Sequence, residues 1–161
     1  MPPHARLTGP VLLGALALVQ CSSSTPVADD DGGACFPDND GLNGGDNTFD
    51  LTVDDTGFSK NLLATQNEAA VTLTLTNMGT KPHGFEVECT SVLSAYPNVP
   101  AGCPTMACFP HGSTIPPLAP GKSATIMFVT PTVDGLIYPF RSGAPGDAMV
   151  PGLNEGQWTL M

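Results

Sequence analysis

Apolar and polar side chains alternate with a period of two over short runs from about residue 47 to the end of the chain. In the clearest run, Ala70–Asn77, Val71, Leu73 and Leu75 share one face and threonines occupy the other. Because successive side chains of a β-strand point to opposite faces, this alternation predicts a half-buried strand. Similar runs occupy residues 49–53, 83–89, 124–129, 136–140 and 157–160, with a weaker one at 58–63.

Turn-forming sequences separate these runs. They include the segment 77–82, the Pro120-Gly121-Lys122 turn and the segment 132–135, while residues 90–118 read as a long proline-rich loop. The 161 residues contain 18 Gly and 17 Pro, and no long amphipathic helical pattern is visible. About seven strands at hairpin-like intervals are typical of an all-β, antiparallel Greek-key sandwich or barrel.

The charge of the chain narrows its possible partners. The formal net charge is −10, from 5 Lys and Arg against 15 Asp and Glu. Nucleic-acid binding needs clustered cations, so we expect no nucleic-acid partner and no polybasic membrane patch. Gly-x-Ser-x-Gly, His-Glu-x-x-His and phosphate-loop motifs are absent from the sequence, so we do not expect an enzyme.

The N-terminus carries a targeting pattern rather than a part of the fold. Arg6 precedes an apolar run at residues 11–19, which is too short to span a bilayer as a helix. The run leads into Cys21, which resembles the lipidated cysteine of a bacterial lipoprotein signal. The alternative is a plain secretory signal that is cleaved nearby. Ser22 beside the cysteine resembles the outer-membrane sorting pattern, which predicts a lipid-anchored protein of the cell envelope, outside the cytoplasm.

The chain is therefore expected to have three parts: a signal peptide at 1–20, an acidic, Gly/Ser-rich tether at 21–46 and a domain at 47–161. Lipidation of Cys21 would leave four of the five cysteines. An even number in an oxidising compartment, such as the periplasm or the exterior of a secreted protein, predicts two disulfides. Three pairings stay open among Cys35, Cys89, Cys103 and Cys108.

The domain resembles the cupredoxins, the fold of plastocyanin and azurin. The resemblance covers residues from about 48 to 161. It rests on three pieces in order: the run 71–77 leading into Pro82-His83-Gly84-Phe85, the Pro120 turn with 124–129, and the run 134–140 containing Tyr138-Pro-Phe140. It implies a β-sandwich in which His83 stands at the first copper-ligand position.

The remaining ligand positions of that family do not match this sequence. The resemblance implies a cysteine, a histidine and a methionine in the loop after the Tyr138 strand, because type 1 copper takes a thiolate, two imidazoles and a thioether. Here Ser142 stands near the cysteine position, no histidine follows in the loop, and Met149 is the one plausible ligand. We therefore expect no cofactor, while copper stays possible.

Two other arrangements could bind a metal. Cys108-Phe-Pro-His111 has copper-like spacing, but it precedes the Pro120 turn, and using Cys108 as a ligand would leave an unpaired cysteine. We therefore interpret Cys108 as a disulfide half and His111 as an exposed loop residue. A weak surface site could combine His83, Met149 and Asp147. Without a metal, we expect the His83 ring to donate to a backbone carbonyl.

These observations favour a membrane-anchored, cupredoxin-like lipoprotein that acts as a binding or structural module. Its membrane contact would be the lipid anchor, and its protein or small-ligand partner is not specified by the sequence. The alternative is an electron-transfer or copper-handling protein with a modified site. That alternative requires Cys108 and His111, or His83 and Met149, to converge at one end of the domain.

Overall fold

The computed structural model describes residues 35–36 and 47–161, which contain eleven β-strands, more than the seven or so expected because short strands also form outside the alternating runs. Their bounds are β1 Thr48–Asp54, β2 Gly57–Phe58, β3 Leu62–Thr65, β4 Ala70–Asn77, β5 His83–Val87, β6 Thr90–Ser91, β7 Met106–Ala107, β8 Ile115–Leu118, β9 Ser123–Val129, β10 Ile137–Arg141 and β11 Gly156–Leu160. A four-stranded sheet has the order β2-β1-β4-β9, and a five-stranded sheet has the order β3-β11-β10-β5-β8. Strands β6 and β7 form a separate pair. The predicted all-β sandwich is confirmed.

The sheets are mixed rather than purely antiparallel. Strand β1 runs parallel to β4, with Thr48 opposite Thr72, and β3 runs parallel to β11, with Leu62 opposite Gln157. The remaining pairs are antiparallel. Alternation in a sequence indicates which face of a strand is buried, but it carries no information about the direction of the neighbouring strand. The expectation of antiparallel strands alone is therefore corrected.

The core lies between the two sheets and centres on Trp158. The indole lies edge-on to Phe49 at a centroid distance of 5.2 Å and to Phe128 at 5.7 Å, so it contacts the four-stranded sheet. Its Nε1–H donates a hydrogen bond to Thr65 Oγ1 at 3.0 Å. Trp158 therefore buries a large apolar surface while its one polar group stays paired.

The predicted loop at 90–118 contains three short strands and a 3₁₀ turn at Val92–Ser94. Two disulfides hold this region: Cys35–Cys103 and Cys89–Cys108. The structure therefore confirms that disulfides form and selects one of the three pairings. The sequence left this choice open because connectivity depends on which Cα atoms the fold brings together.

Two residues assigned to the tether from sequence belong to the packed structure. Phe36 is buried, with its ring centroid 5.3 Å from that of Tyr96, and Cys35 packs beside it through its disulfide. The predicted signal peptide, Cys21 and the rest of the tether lie outside the described residues. In the part of the chain that is described, no helix has the length and apolar character needed to cross a membrane.

The side chain of Tyr138 generates a prediction about stability. Its hydroxyl is fully buried and has no hydrogen-bond partner among the described residues, and burial raises the pKa of this phenol. An unpaired buried hydroxyl costs free energy. The free energy of unfolding of Tyr138→Phe should therefore equal that of the wild type or exceed it by up to about 1 kcal/mol. Denaturant unfolding monitored by Trp158 fluorescence measures the change.

Thr65→Val provides the matched control, because it creates an unpaired buried donor at the Trp158 indole instead of removing an unpaired group. We expect this change to cost about 1–3 kcal/mol. A loss of that size in Tyr138→Phe would contradict the prediction and indicate that the phenol has a bonding partner.

Candidate functional site

His83 is the first residue of β5, and a turn built around Asn77 places it there. The Asn77 side-chain amide donates to the carbonyl oxygens of Lys81 at 2.7 Å and Leu118 at 2.8 Å. Its Oδ1 accepts a hydrogen bond from the Gly79 N–H at 2.8 Å. Asn77 is itself fully buried. Its hydrogen bonds fix the chain between β4 and β5 and place the His83 ring at the end of the sandwich.

The imidazole of His83 is buried between two carboxylates. Its Nδ1 lies 2.8 Å from Asp147 Oδ2, and its Nε2 lies 2.9 Å from Asp55 Oδ1. The side chain of His83 is 1% exposed, that of Asp147 is 8% exposed and that of Asp55 is 32% exposed. Both partners are therefore side-chain carboxylates, and the backbone carbonyl expected from sequence is not the acceptor.

Ser142 supports the Asp147 side of the ring. Its hydroxyl donates a short hydrogen bond to Asp147 Oδ2, and its oxygen accepts one from the Gly84 N–H at 3.0 Å. Asp147 opens a 3₁₀ turn directly after Gly146, whose φ of 94° favours glycine because a Cβ there would be strained. The loop after β10 thus brings a carboxylate and a hydroxyl to the ring. We call His83, Asp55, Asp147 and Ser142 the His83 cluster.

The turn between β4 and β5 holds Asp55 in place. Asp55 Oδ1 accepts hydrogen bonds from the N–H groups of Thr80 at 3.0 Å and Lys81 at 3.2 Å. Gly79 packs closely over the contact between Asp55 and His83. A Cβ on Gly79 would lie 2.6 Å from Asp55 Oδ1 and 2.9 Å from His83 Nε2, so a side chain does not fit there.

The electrostatics of the cluster favour a protonated ring. Burial lowers the pKa of His83, but hydrogen bonds to Asp147 and Asp55, together with their charges, outweigh burial and raise the pKa above its ordinary value of 6.5. The Thr80 hydroxyl and the His83 ring both lower the pKa of Asp55. An imidazolium has two N–H donors, so it satisfies both carboxylates at once.

The donor set does not fit type 1 copper. Such a site needs a thiolate and imidazoles converging on one point, whereas Asp55 and Asp147 approach opposite nitrogens of a single ring. Ser142 offers a hydroxyl that is already bonded to Asp147. Across 35–36 and 47–161, no group of three or more His, Cys, Asp or Glu side chains is arranged to hold a metal ion.

The other candidate ligands are not brought to this cluster. Cys108 is bonded to Cys89, which follows the opposite end of β5 from His83, and the strand itself spans about 13 Å. His111 is exposed in the turn that follows Cys108. Met149 is 88% exposed, although its neighbour Asp147 points at the ring. Of the predicted ligands, the structure brings together His83 and Asp147.

Sequence reasoning missed Asp55 and misjudged Ser142. Asp55 precedes His83 by 28 positions and reaches it from the turn after β1, so no local motif joins the two. Ser142 lacks the thiol of a copper ligand, yet it orients Asp147. The available signal was the pair of polar residues, Ser142 and Asp147, separated only by Gly, Ala and Pro in the loop after β10, but a metal-ligand template has no place for this pair.

Comparison with solved structures identifies the fold. The reduced auracyanin of Roseiflexus castenholzii aligns with a TM-score of 0.53 at 20% identity, over 73% of this chain and 99% of that one. Auracyanin B aligns at 0.50 and 20% identity, over 73% and 91%. Auracyanin A of Chloroflexus aurantiacus, a "blue" copper protein, aligns at 0.50 and 14% identity, over 71% and 98%.

The chain has a cupredoxin-like fold. The resemblance stated from sequence is thereby confirmed at the level of architecture. No protein-family model and no curated protein sequence matches the chain. At identities of 14–20% the likeness concerns the fold alone, so the chemistry of the site depends on the residues described above.

Gly79→Ala should destabilise the protein, because its methyl group would push apart Asp55 and His83. Overpacking of this kind costs about 1–3 kcal/mol. Gly112→Ala is the matched control, since a Cβ there meets only the Met127 carbonyl oxygen, at 3.9 Å. Thermal unfolding of both variants measures the difference. Equal melting temperatures would contradict close packing at Gly79.

The cluster also predicts how stability depends on pH. The pKa of His83 is raised above 6.5, so its contribution is complete below pH 6.5 and is lost as pH rises through the folded-state pKa. Over that interval the free energy of unfolding should fall by up to about 1.4 kcal/mol per pH unit. The pKa of Asp55 is lowered, so its contribution is present above pH 3.8 and is lost as pH falls below that value.

Denaturant unfolding of the wild type and of His83→Gln, measured from acid to alkaline pH, tests this dependence. The decrease that begins near pH 6.5, below the range in which tyrosines ionise, should disappear in His83→Gln, which cannot carry the proton. It should persist in His111→Ala, which removes a histidine outside the cluster. An unchanged alkaline decrease in His83→Gln would show that the proton responsible lies elsewhere.

Proposed function

We propose that this protein is a lipid-anchored, extracytoplasmic, cupredoxin-like module that acts by binding a partner or as a structural element, without catalysis and without type 1 copper. The observation that carries the proposal is the engagement of both ring nitrogens of His83 by carboxylates. A proton on the ring has the role that a metal ion would have in binding the loops together.

The His83 cluster connects segments that are distant in sequence. It links the turn after β1, the turn between β4 and β5, the start of β5 and the loop after β10. Loops held in one geometry lose less conformational entropy when a partner binds. Met78 and Met149 are strongly exposed on the two loops that flank the ring, and exposed methionines adapt to varied partners.

Location outside the cytoplasm is supported by the cysteine chemistry. The structure contains two disulfides, which persist in oxidising compartments and are rare in the cytosol. The apolar run at 11–19 and Cys21 fit export followed by lipidation. Several acyl chains hold a protein firmly on a membrane, so the domain would remain at the envelope surface.

The alternative function is copper handling at a modified site. The structural likeness to a "blue" copper protein supports this alternative. It would require Cu(II) to displace the proton from one nitrogen of His83 and to take Asp147 or Asp55 as a second ligand. Such a site would hold no thiolate, because Cys108 is committed to Cys89.

Cu(II) titration of residues 22–161 distinguishes the two functions. We expect the wild type to show neither an intense blue charge-transfer band nor an electron paramagnetic resonance signal from Cu(II) bound at the His83 cluster. Ser142→Cys combined with Asp147→His should gain such a band, because it places a thiolate and a second imidazole beside Nδ1 of His83. Absorption and electron paramagnetic resonance spectra report the site. Because the copper-handling site would hold no thiolate, its signature is a bound Cu(II) signal in the electron paramagnetic resonance spectrum, and such a wild-type signal that disappears in His83→Ala would favour that function.

A further inference from the structure

The N-terminal segment is attached to the domain at a defined place. Cys35 forms a disulfide with Cys103, and Phe36 is 8% exposed with its ring packed on Tyr96 at 5.3 Å. A covalent bond and a buried aromatic ring both fix this point, which lies before β1 in sequence. We call Cys35, Phe36, Tyr96 and Cys103 the tether dock.

Strand directions place the tether dock at the end of the sandwich opposite the His83 cluster. Strand β4 ends at Asn77, beside the cluster, and its first residue Ala70 pairs with Val129, the last residue of β9. The turn after β9 therefore lies at the opposite end. Tyr96 Oη donates to Asp134 Oδ1 in that turn at 2.6 Å. The seven steps from Ala70 to Asn77 in β4 separate the two ends by about 23 Å.

The segment 89–108, which we call the Cys-rich lobe, packs around the tether dock and stabilises it. Cys89, just beyond the far end of β5, is bonded to Cys108, and β6 pairs with β7 beside them. Val92 is fully buried in the same lobe. The hydrogen bond to Asp134 raises the pKa of Tyr96 to about 12, so the phenol stays a donor at neutral pH.

We propose that the tether dock is the membrane-facing end of the domain and that the His83 cluster faces away from the bilayer. This inference rests on the proposed lipid anchor at Cys21. Fourteen residue steps separate Cys21 from Cys35, which limits the reach from the membrane to about 50 Å whatever their conformation. If neither the disulfide nor the Phe36 contact were present, the limit set by the 27 steps from Cys21 to Thr48 would be about 95 Å.

The orientation follows from where both attachment points lie. Thr48 pairs with Thr72 near the start of β4, so β1 also enters at the tether-dock end. The disulfide adds a second attachment at that end and roughly halves the reach of the segment. The exposed Met78 and Met149 at the His83 end are then available to a partner in the aqueous phase instead of the lipid.

Fluorescence quenching on vesicles tests the orientation. The full lipidated chain would carry a fluorophore through a bioorthogonal side chain at either Thr132, at the tether-dock end, or Lys122, at the His83 end; both are exposed. The vesicles are phosphatidylcholine with a headgroup-quencher lipid. Because the two ends are about 23 Å apart, we expect quenching at position 132 to be at least about twofold stronger than at position 122. Equal quenching, or stronger quenching at position 122, would overturn the inference.

Two disulfide variants test the part played by the dock. Cys35→Ser with Cys103→Ser should lower the ratio of quenching at 132 to that at 122, because the reach of the segment increases. Cys89→Ser with Cys108→Ser leaves the attachment intact and should keep the ratio. Circular dichroism verifies that each variant is folded. A ratio unaffected by the first variant would show that the Cys35–Cys103 bond does not set the orientation.

Flotation with the vesicles separates this inference from the proposed function. If the wild type and Cys21→Ser float equally, the lipid anchor is wrong and the proposed function fails. If the wild type floats and Cys21→Ser does not, the anchor stands and the quenching ratio decides the orientation alone.

Discussion

The loop end of this sandwich depends on the buried His83 ring, whose pKa is raised, and on the two carboxylates that hold it. Burying charge is costly unless each charge is paired and hydrogen-bonded. Here Asp147 and Asp55 each take one N–H of the ring, and Ser142, Thr80 and Lys81 satisfy the carboxylate oxygens. These hydrogen bonds join the loops at this end of the sandwich through one ring.

This arrangement illustrates how one fold can keep its architecture while the chemistry at its end changes. The neighbours of known structure include a "blue" copper protein, and the strands superimpose over most of both chains. A thiolate and imidazoles coordinate a soft metal ion, whereas the hydroxyl and carboxylates found here form hydrogen bonds around the His83 ring. Substituting the ligand types therefore alters what the end of the sandwich can bind, while Trp158 and the aromatic residues around it maintain the core.

The two ends of the domain have different physical characters. At one end, hydrogen bonds of the His83 cluster order the loops, and exposed methionines surround them. At the other end, the Cys35–Cys103 disulfide and the packing of Phe36 on Tyr96 join the N-terminal segment to the Cys-rich lobe, which the Cys89–Cys108 disulfide closes. Covalent attachment suits the end that would bear the anchor, and a rigid but non-covalent surface suits the end that would meet a partner.

The sequence by itself determined the β-sandwich, because side-chain alternation in a strand is a local property of the backbone. It also determined that Ser142 supplies no thiol and that no imidazole follows in that loop. Only the tertiary structure decided the parallel pairing of β1 with β4, the choice of Cys103 as the partner of Cys35, and the contact between Asp55 and His83. Each of these joins segments that are distant along the chain, and such contacts depend on how the strands are arranged in space, which no local pattern encodes.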